Sequence, residues 1–270
     1  MGTSDHGGPR RFFLARTPRE GSAELAPEDA EHALRVLRLG PGDALIGLDG
    51  RGSAWPLRIA ADGERDDARG ARGPRRARSA TPVRLEADGE PWCEAAPGEP
   101  GAPLPRIELA FALPRGPRAA DLVDRATQLG AARLSPLECE RSNEAARGAG
   151  PARLEKLGVV AREACKQCGR LWLPELREPA TLDALLAASD ADATLLLDPR
   201  ADTGLLQCIA DRRGAARSWS VLVGPEGGFT DAERERALAA GATPVRIAPH
   251  VLRIETAAEA ALAGLVLALG

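Results

Sequence analysis

The 270-residue sequence has no tyrosine, one methionine, three histidines and only 3% aromatic residues. That scarcity, with nearly all positive charge on arginine, reads as the coding bias of a GC-rich genome and excludes no function by itself. Long apolar runs are missing as well. No stretch approaches the roughly 20 apolar residues of a membrane helix, and residues 1–11 are polar and glycine-rich, unlike a signal peptide. A cytoplasmic protein with no membrane partner is expected. Cysteine is sparse and odd in number, five in all, so reduced thiols are expected. No second cysteine pair and no histidine pair accompanies Cys165-Lys166-Gln167-Cys168, which leaves no zinc set and no expected metal. A redox pair would sit at a helix N-terminus, where the dipole lowers a thiol pKa. This one falls at a predicted helix C-terminus and reads as structural thiols. The phosphate-loop sequence Gly-Lys-Ser/Thr and the dinucleotide-binding glycine spacing are both missing. None of His6, His32 and His250 stands out as a catalytic base.

What is present supports a packed core, with 44% hydrophobic and 28% charged residues. The length suits one large domain or two modest ones. Strand-like runs at 11–14, 44–48 and 54–59, an Asp49-Gly50 turn signal and a helical pattern over 27–39 predict a small β-rich domain with one helix. Residues 62–105 are rich in Arg, Asp, Gly and Pro. They predict a disordered insertion and linker, with one edge strand at Val83-Arg84-Leu85. From 106 onward strands (107–113, 133–137, 193–197, 219–223, 245–247) alternate with helices (119–129, 151–168, 181–188, 205–210, 255–269). Thr230 and Glu233 form a capping box opening another helix to Ala240. The alternation predicts an α/β domain with a mostly parallel sheet.

Three local features are candidates for chemistry. Gly224-Pro225-Glu226-Gly227-Gly228 follows an apolar strand and precedes a capped helix. Ligands of open α/β sheets sit beyond such strand ends, although a plain strand-to-helix turn would look the same. Leu252-Arg253-Ile254-Glu255-Thr256 places a charged pair before the last helix. It reads equally as a site or as a helix start with Glu255 on the positive end of the dipole. Lys166 and Arg170, four apart, put two cations on one helix edge.

The net charge is −3, which argues against nucleic acid if taken whole. Divided along the chain it changes. Residues 106–177 carry 13 Lys+Arg against 9 Asp+Glu, net +4, and residues 65–78 carry 6 Arg against 2 Asp, also +4. Residues 178–270 are net −5. A basic face on a near-neutral protein is compatible with RNA.

These features resemble the RsmE family of the SPOUT superfamily, bacterial methyltransferases of a uridine N3 in 16S ribosomal RNA. The resemblance rests on Arg11-Phe12-Phe13, His32 with Val36-Leu37-Arg38, Gly42-Asp43, Asp49-Gly50, Gln128-Leu129-Gly130, Glu140-Arg141-Ser142, Glu163 to Arg170, Leu222 to Gly228 and Val251 to Ala257. It implies a small PUA-like β-barrel over 1–103 and an α/β SPOUT domain with a deep trefoil knot over 104–270. It also implies S-adenosylmethionine as cofactor, 16S rRNA in the small ribosomal subunit as partner, and a homodimer. The cofactor would be lined by Leu197, Val223, Gly224, Pro225, Glu226, Gly227, Gly228, Ile247, Val251, Leu252 and Thr256. Arg253, Glu255 and Arg141 would be catalytic, with Glu255 a candidate base. Arg11, Arg38, Arg115, Lys166 and Arg170 would meet RNA. The sequence departs from the family's pattern at Arg115, where lysine is common, at Ala248-Pro249-His250, where Gly-Pro-Arg is frequent, and in the long 62–78 insertion. A non-catalytic assembly factor, or a SPOUT enzyme with another RNA target, are the alternatives.

Overall fold

A computed structural model describes residues 9–19, 22–61, 83–142 and 150–270. The chain divides into two compact units, Met1–Glu94 and Ala95–Gly270, a division earlier than the expected 103/104. The insertion at 62–78 lies outside the described residues.

The first unit contains β1 (Arg10–Arg19), β2 (Ser22–Leu25), α1 (Pro27–Glu31), β3 (Ala44–Leu48), β4 (Ser53–Ile59), β5 (Arg84–Ala87) and β6 (Trp92–Cys93). The strands pair in the order β3-β1-β2-β5-β4, and β4 pairs back onto β3. The sheet therefore closes into a five-stranded barrel, which removes its open edges. Alternation places Phe12, Leu45, Leu57 and Leu85 in the barrel core. Asp29 on α1 is buried there because its carboxylate accepts the Phe13 N–H at 2.7 Å, a satisfied buried acceptor. The helix is shorter than the expected 27–39. It gives way at His32–Val36 to one wider turn, and the Leu39 N–H then returns to the Ala33 carbonyl. Arg38 takes a φ of 56° at this exit, the left-handed position usually filled by glycine.

Residues 88–105 are not the disordered linker that their composition suggested. Asp88 donates to the Pro56 carbonyl, Glu94 to Gly52, Gly98 to Leu104 and Arg106 to Arg217. Backbone hydrogen bonds supply what the few apolar side chains do not.

The second unit contains β7 (Arg106–Ala112), α2 (Arg118–Gln128), β8 (Arg133–Glu138), α3 (Pro151–Cys168), β9 (Glu175–Leu176), β10 (Ala180–Thr181) and α4 (Leu182–Ala187). After these come β11 (Ala193–Leu197), α5 (Leu205–Arg212), β12 (Ser218–Val223), α6 (Asp231–Ala239), β13 (Thr243–Val245) and α7 (Ile254–Leu269). The sheet is parallel throughout, ordered β10-β8-β7-β12-β11-β13, with β9 also on β8. β12 is buried at every position, its two serines included, as befits the centre of a parallel sheet. β13 starts two residues before the expected 245–247 and takes in Pro244, which an edge strand tolerates.

At the amino-terminal end of this sheet, Asp190 receives Arg106 at 2.6 Å and Arg133 at 2.9 Å. The Arg106 hydrogen bond holds the Asp190 carboxyl down at about 2. Asp192, bonded by the Ser218 hydroxyl and by the Arg217 and Ser218 N–H groups, is also lowered. Carboxylates depressed in the folded state stabilise it above the unfolded pKa, about 3.9 for Asp, and lose that contribution as pH falls through the folded value. The melting temperature should therefore decline as pH falls from about 4 toward 2. In Asp190→Asn the decline should be shallower. Identical slopes by calorimetry would remove these pairs from the account.

Candidate functional site

The loops leaving the carboxyl ends of β11, β12 and β13 converge on a cavity of about 420 Å³, within the range of small-molecule sites. These strands are neighbours in the sheet although not in chain order. The walls are apolar where Leu196, Leu197, Val223, Ile247 and Leu252 enter, and charged where Arg141, Asp198, Arg200, Glu226, Asp231 and Arg234 do.

The Gly224 to Gly228 loop has a physical reason for its glycines. A Cβ on Gly224 would lie 2.9 Å from the Phe229 ring. Gly228 sits at φ 68°, where its N–H closes a tight turn onto the Pro225 carbonyl at 2.8 Å. The α6 capping box then fixes the loop's exit. Thr230 Oγ1 accepts the Glu233 N–H at 3.2 Å, and Glu233 Oε2 accepts the Thr230 N–H at 2.8 Å. Glu233 does more than cap, because its Oε1 accepts the Glu140 N–H at 2.8 Å. That places Arg141 over the loop, where its guanidinium donates to the Gly227 carbonyl at 2.8 Å. The loop after β11 is tied in the same way, the Asp198 N–H donating to the Val245 carbonyl at 3.0 Å.

Of the expected cofactor residues, Leu197, Val223, Gly224, Pro225, Glu226, Gly227, Gly228, Ile247, Val251 and Leu252 all line the cavity. Thr256 does not; it is exposed on the first turn of α7. Arg141 lines the cavity and Arg253 is exposed beside it, at the start of α7 between lining residues Leu252 and Ile254. Glu255, the candidate base, does not line the cavity. It is buried outside the lining, 3.9 Å from Arg118, and its Oε2 has no hydrogen-bond partner among the described residues. Arg200, Phe229, Asp231 and Arg234 line the cavity without having been singled out. Arg234 has no local sequence signal, since the carboxylate it meets belongs to another loop.

The cations expected to meet RNA separate into two groups. Arg38 and Arg115 are exposed and Arg11 is half-buried. Lys166 is paired with Glu163 at 2.6 Å. Arg170 does not share its helix edge, because Gly169 ends α3 in the left-handed conformation and turns the chain. Its guanidinium donates inward to the Thr127 and Ala131 carbonyls, at the C-terminus of α2. Burial pushes the neighbouring Cys165 thiol up to about 12, as expected of a structural thiol at the end of a helix. Among the described residues no cluster could hold a metal ion, and no helix is long and apolar enough to cross a membrane.

Two family models match the chain, an RNA methyltransferase domain over residues 101–266 and an RNA methyltransferase PUA domain over residues 25–66. The chain belongs to the RNA methyltransferase family. Within that family, the ribosomal RNA small subunit methyltransferase E of Synechocystis sp. is 30% identical over 90% of this chain and 72% of its own length. The Mycobacterium bovis protein of the same name is 27% identical over 93% and 88%. Among solved structures, a Legionella pneumophila protein described as a methyltransferase, in complex with its bound cofactor SAM, is 26% identical with a TM-score of 0.76. The match covers 97% of this chain and 98% of that one. The Neisseria gonorrhoeae ribosomal RNA small subunit methyltransferase E, bound to S-adenosyl methionine, shares the fold with a TM-score of 0.77. The RsmE resemblance and the expected architecture, a PUA-type barrel before a SPOUT-type parallel α/β domain, are both borne out.

Proposed function

We propose that the protein transfers a methyl group from S-adenosylmethionine to N3 of a uridine in 16S rRNA of the small ribosomal subunit. It would act as a cytoplasmic homodimer whose cofactor loops are threaded as a trefoil knot. The observation that carries this reading is the cavity itself, built by three loops at the carboxyl ends of β11, β12 and β13 in a family of RNA methyltransferases.

The residues present fit such a cofactor. Apolar walls from Leu197, Val223, Ile247 and Leu252 suit an adenine ring, and backbone amides and carbonyls of the loops suit its edges. Leaving out a Cβ at Gly224 keeps room for the Phe229 ring behind the loop. Ala248 lines the cavity too, so its methyl group narrows the space beside Ile247. When bound, the cofactor supplies an electrophilic methyl group on a sulfonium.

The chain's own residues would do the rest. Arg253 and Arg141 stand beside the cavity and would stabilise the negative charge that develops on the uracil ring as N3 loses its proton. The loops would hold N3 in line with the methyl group, a gain in proximity rather than in new chemistry. Glu255, buried against Arg118, is left out of the proton path, and the proton would pass to water. The exposed Arg38 and Arg115 would meet phosphates. The near-neutral total charge suits a shaped ribosomal surface better than loose RNA.

The deciding experiment is mass spectrometry of 16S rRNA from a deletion strain. One N3-methyluridine should disappear and return on complementation. Its persistence would remove the assignment. Calorimetric failure to bind S-adenosylmethionine would favour a non-catalytic assembly factor instead.

A further inference from the structure

Four charged side chains on the cavity wall form a chain of contacts. Asp198 follows β11 directly and is only 6% exposed, yet it is a carboxylate. Its Oδ2 accepts Arg234 Nε at 2.6 Å, and its Oδ1 accepts the Arg200 N–H at 2.9 Å and Arg200 Nε at 3.3 Å. Arg200 continues to Asp231 at 2.7 Å. Burial raises the Asp198 pKa, but the Arg234 and Arg200 hydrogen bonds outweigh it and leave the group lowered, hence ionised.

This arrangement is a poor way to stabilise a fold. Burying a carboxylate carries a desolvation penalty that an ion pair often fails to recover. Arg234 also lies in the first turn of α6, where the helix dipole disfavours a cation. A costly pair placed on a cavity wall points to a ligand. Asp198 holds Arg234 by Nε, and the two terminal nitrogens of Arg234, with Asp231 nearby, make no hydrogen bond among the described residues. Those two nitrogens form one edge of a planar fork whose geometry matches a carboxylate.

We infer that Arg234, positioned by Asp198, is the binding group for the α-carboxylate of the cofactor's amino-acid portion. This rests on the S-adenosylmethionine reading above. A phosphate of the RNA is the competing anion, and the position of Arg234 disfavours it. Among the three arginines lining the cavity, Arg141 and Arg200 are exposed at the rim while Arg234 is half-buried in the wall. A polymer reaches the rim first; a small molecule fills the wall. Asp198 is a positioning residue that acts through Arg234.

The test is calorimetry with S-adenosylmethionine and with decarboxylated S-adenosylmethionine, which lacks only the carboxylate. Wild type should bind the intact cofactor about tenfold or more tightly, the scale of one charge-assisted hydrogen-bonded pair. Arg234→Met should bring the ratio of the two affinities close to one, and Asp198→Asn should reduce it partway. Because the readout is a ratio within each protein, a general loosening of the pocket would lower both affinities and leave the ratio alone. If the methionine variant does not fold, Arg234→Lys keeps the Asp198 pair and should show an intermediate ratio. An unchanged ratio in Arg234→Met, or no preference in wild type, overturns the inference while leaving the cofactor assignment standing. Weakened binding of small ribosomal subunits with an unchanged ratio gives Arg234 to RNA instead. Failure of wild type to bind either compound overturns the cofactor assignment and this inference together.

Discussion

Arg253→Ala is expected to lower kcat by about 10²–10³-fold, the loss seen when one donor to a developing anion is removed. Stability should stay within about 0.5 kcal/mol of wild type, as for surface changes away from structural features. The side chain has no structural task. It is exposed, and no hydrogen bond or ion pair from its guanidinium is found among the described residues. The residue begins α7 through its backbone, the Arg253 carbonyl accepting the Ala257 N–H at 2.8 Å, and alanine preserves that bond. Cofactor affinity should also hold, since Arg253 is outside the cavity lining. Single-turnover assays on small subunits, urea unfolding and calorimetry separate the three quantities. Normal turnover would remove Arg253 from the chemistry. A parallel fall in stability would make it a structural residue.

Glu233→Ala should have the largest effect on stability, about 2–5 kcal/mol by urea unfolding. That range follows from leaving two part-buried N–H groups unpaired, at about 1–3 kcal/mol each, together with a lost cap. Glu233 is only 2% exposed and both of its oxygens are occupied, one by Thr230 N–H within its helix and one by Glu140 N–H from the loop after β8. Thr230→Ala removes only the hydroxyl side of the box and should cost about 1 kcal/mol. If the two variants lose the same amount, the Glu140 link carries no weight. The link also predicts a functional effect at a distance. Arg141 follows Glu140 and closes over Gly227, so releasing Glu140 should loosen the cavity and weaken cofactor binding.

The elements of the α/β unit were largely legible because their signals are local. Pro151 and Gly169 bracket α3 at the predicted residues, and the Thr230–Glu233 box forms as its spacing required. The glycines after β12 mark a loop that lines the cavity. Legibility ended wherever a partner came from elsewhere in the chain. The inward turn of Arg170 depends on carbonyls of α2, and Arg234 matters only because β11 delivers Asp198 to it. The burial of Glu255 beside Arg118 likewise depends on how α7 packs and not on its sequence neighbours. Residues 88–105 failed for the opposite reason: composition reports side chains, while this stretch is held by its backbone.

The centre of the parallel sheet joins Arg106–Ala112 to Ser218–Val223, so its innermost pairing spans most of the unit's sequence. The loop-closure entropy of such a pairing must be met before the flanking contacts repay it, which slows folding. No partial chain ending before β12 can hold the sheet's middle, and the cavity depends on strands that dock on either side of that moment. Assembly of the catalytic unit is therefore expected to be a late, all-or-none kinetic event. A small molecule that binds only the finished cavity would then act as a latch, adding RT ln(1 + [L]/Kd) to stability and deepening the well from which the chain must escape to unfold.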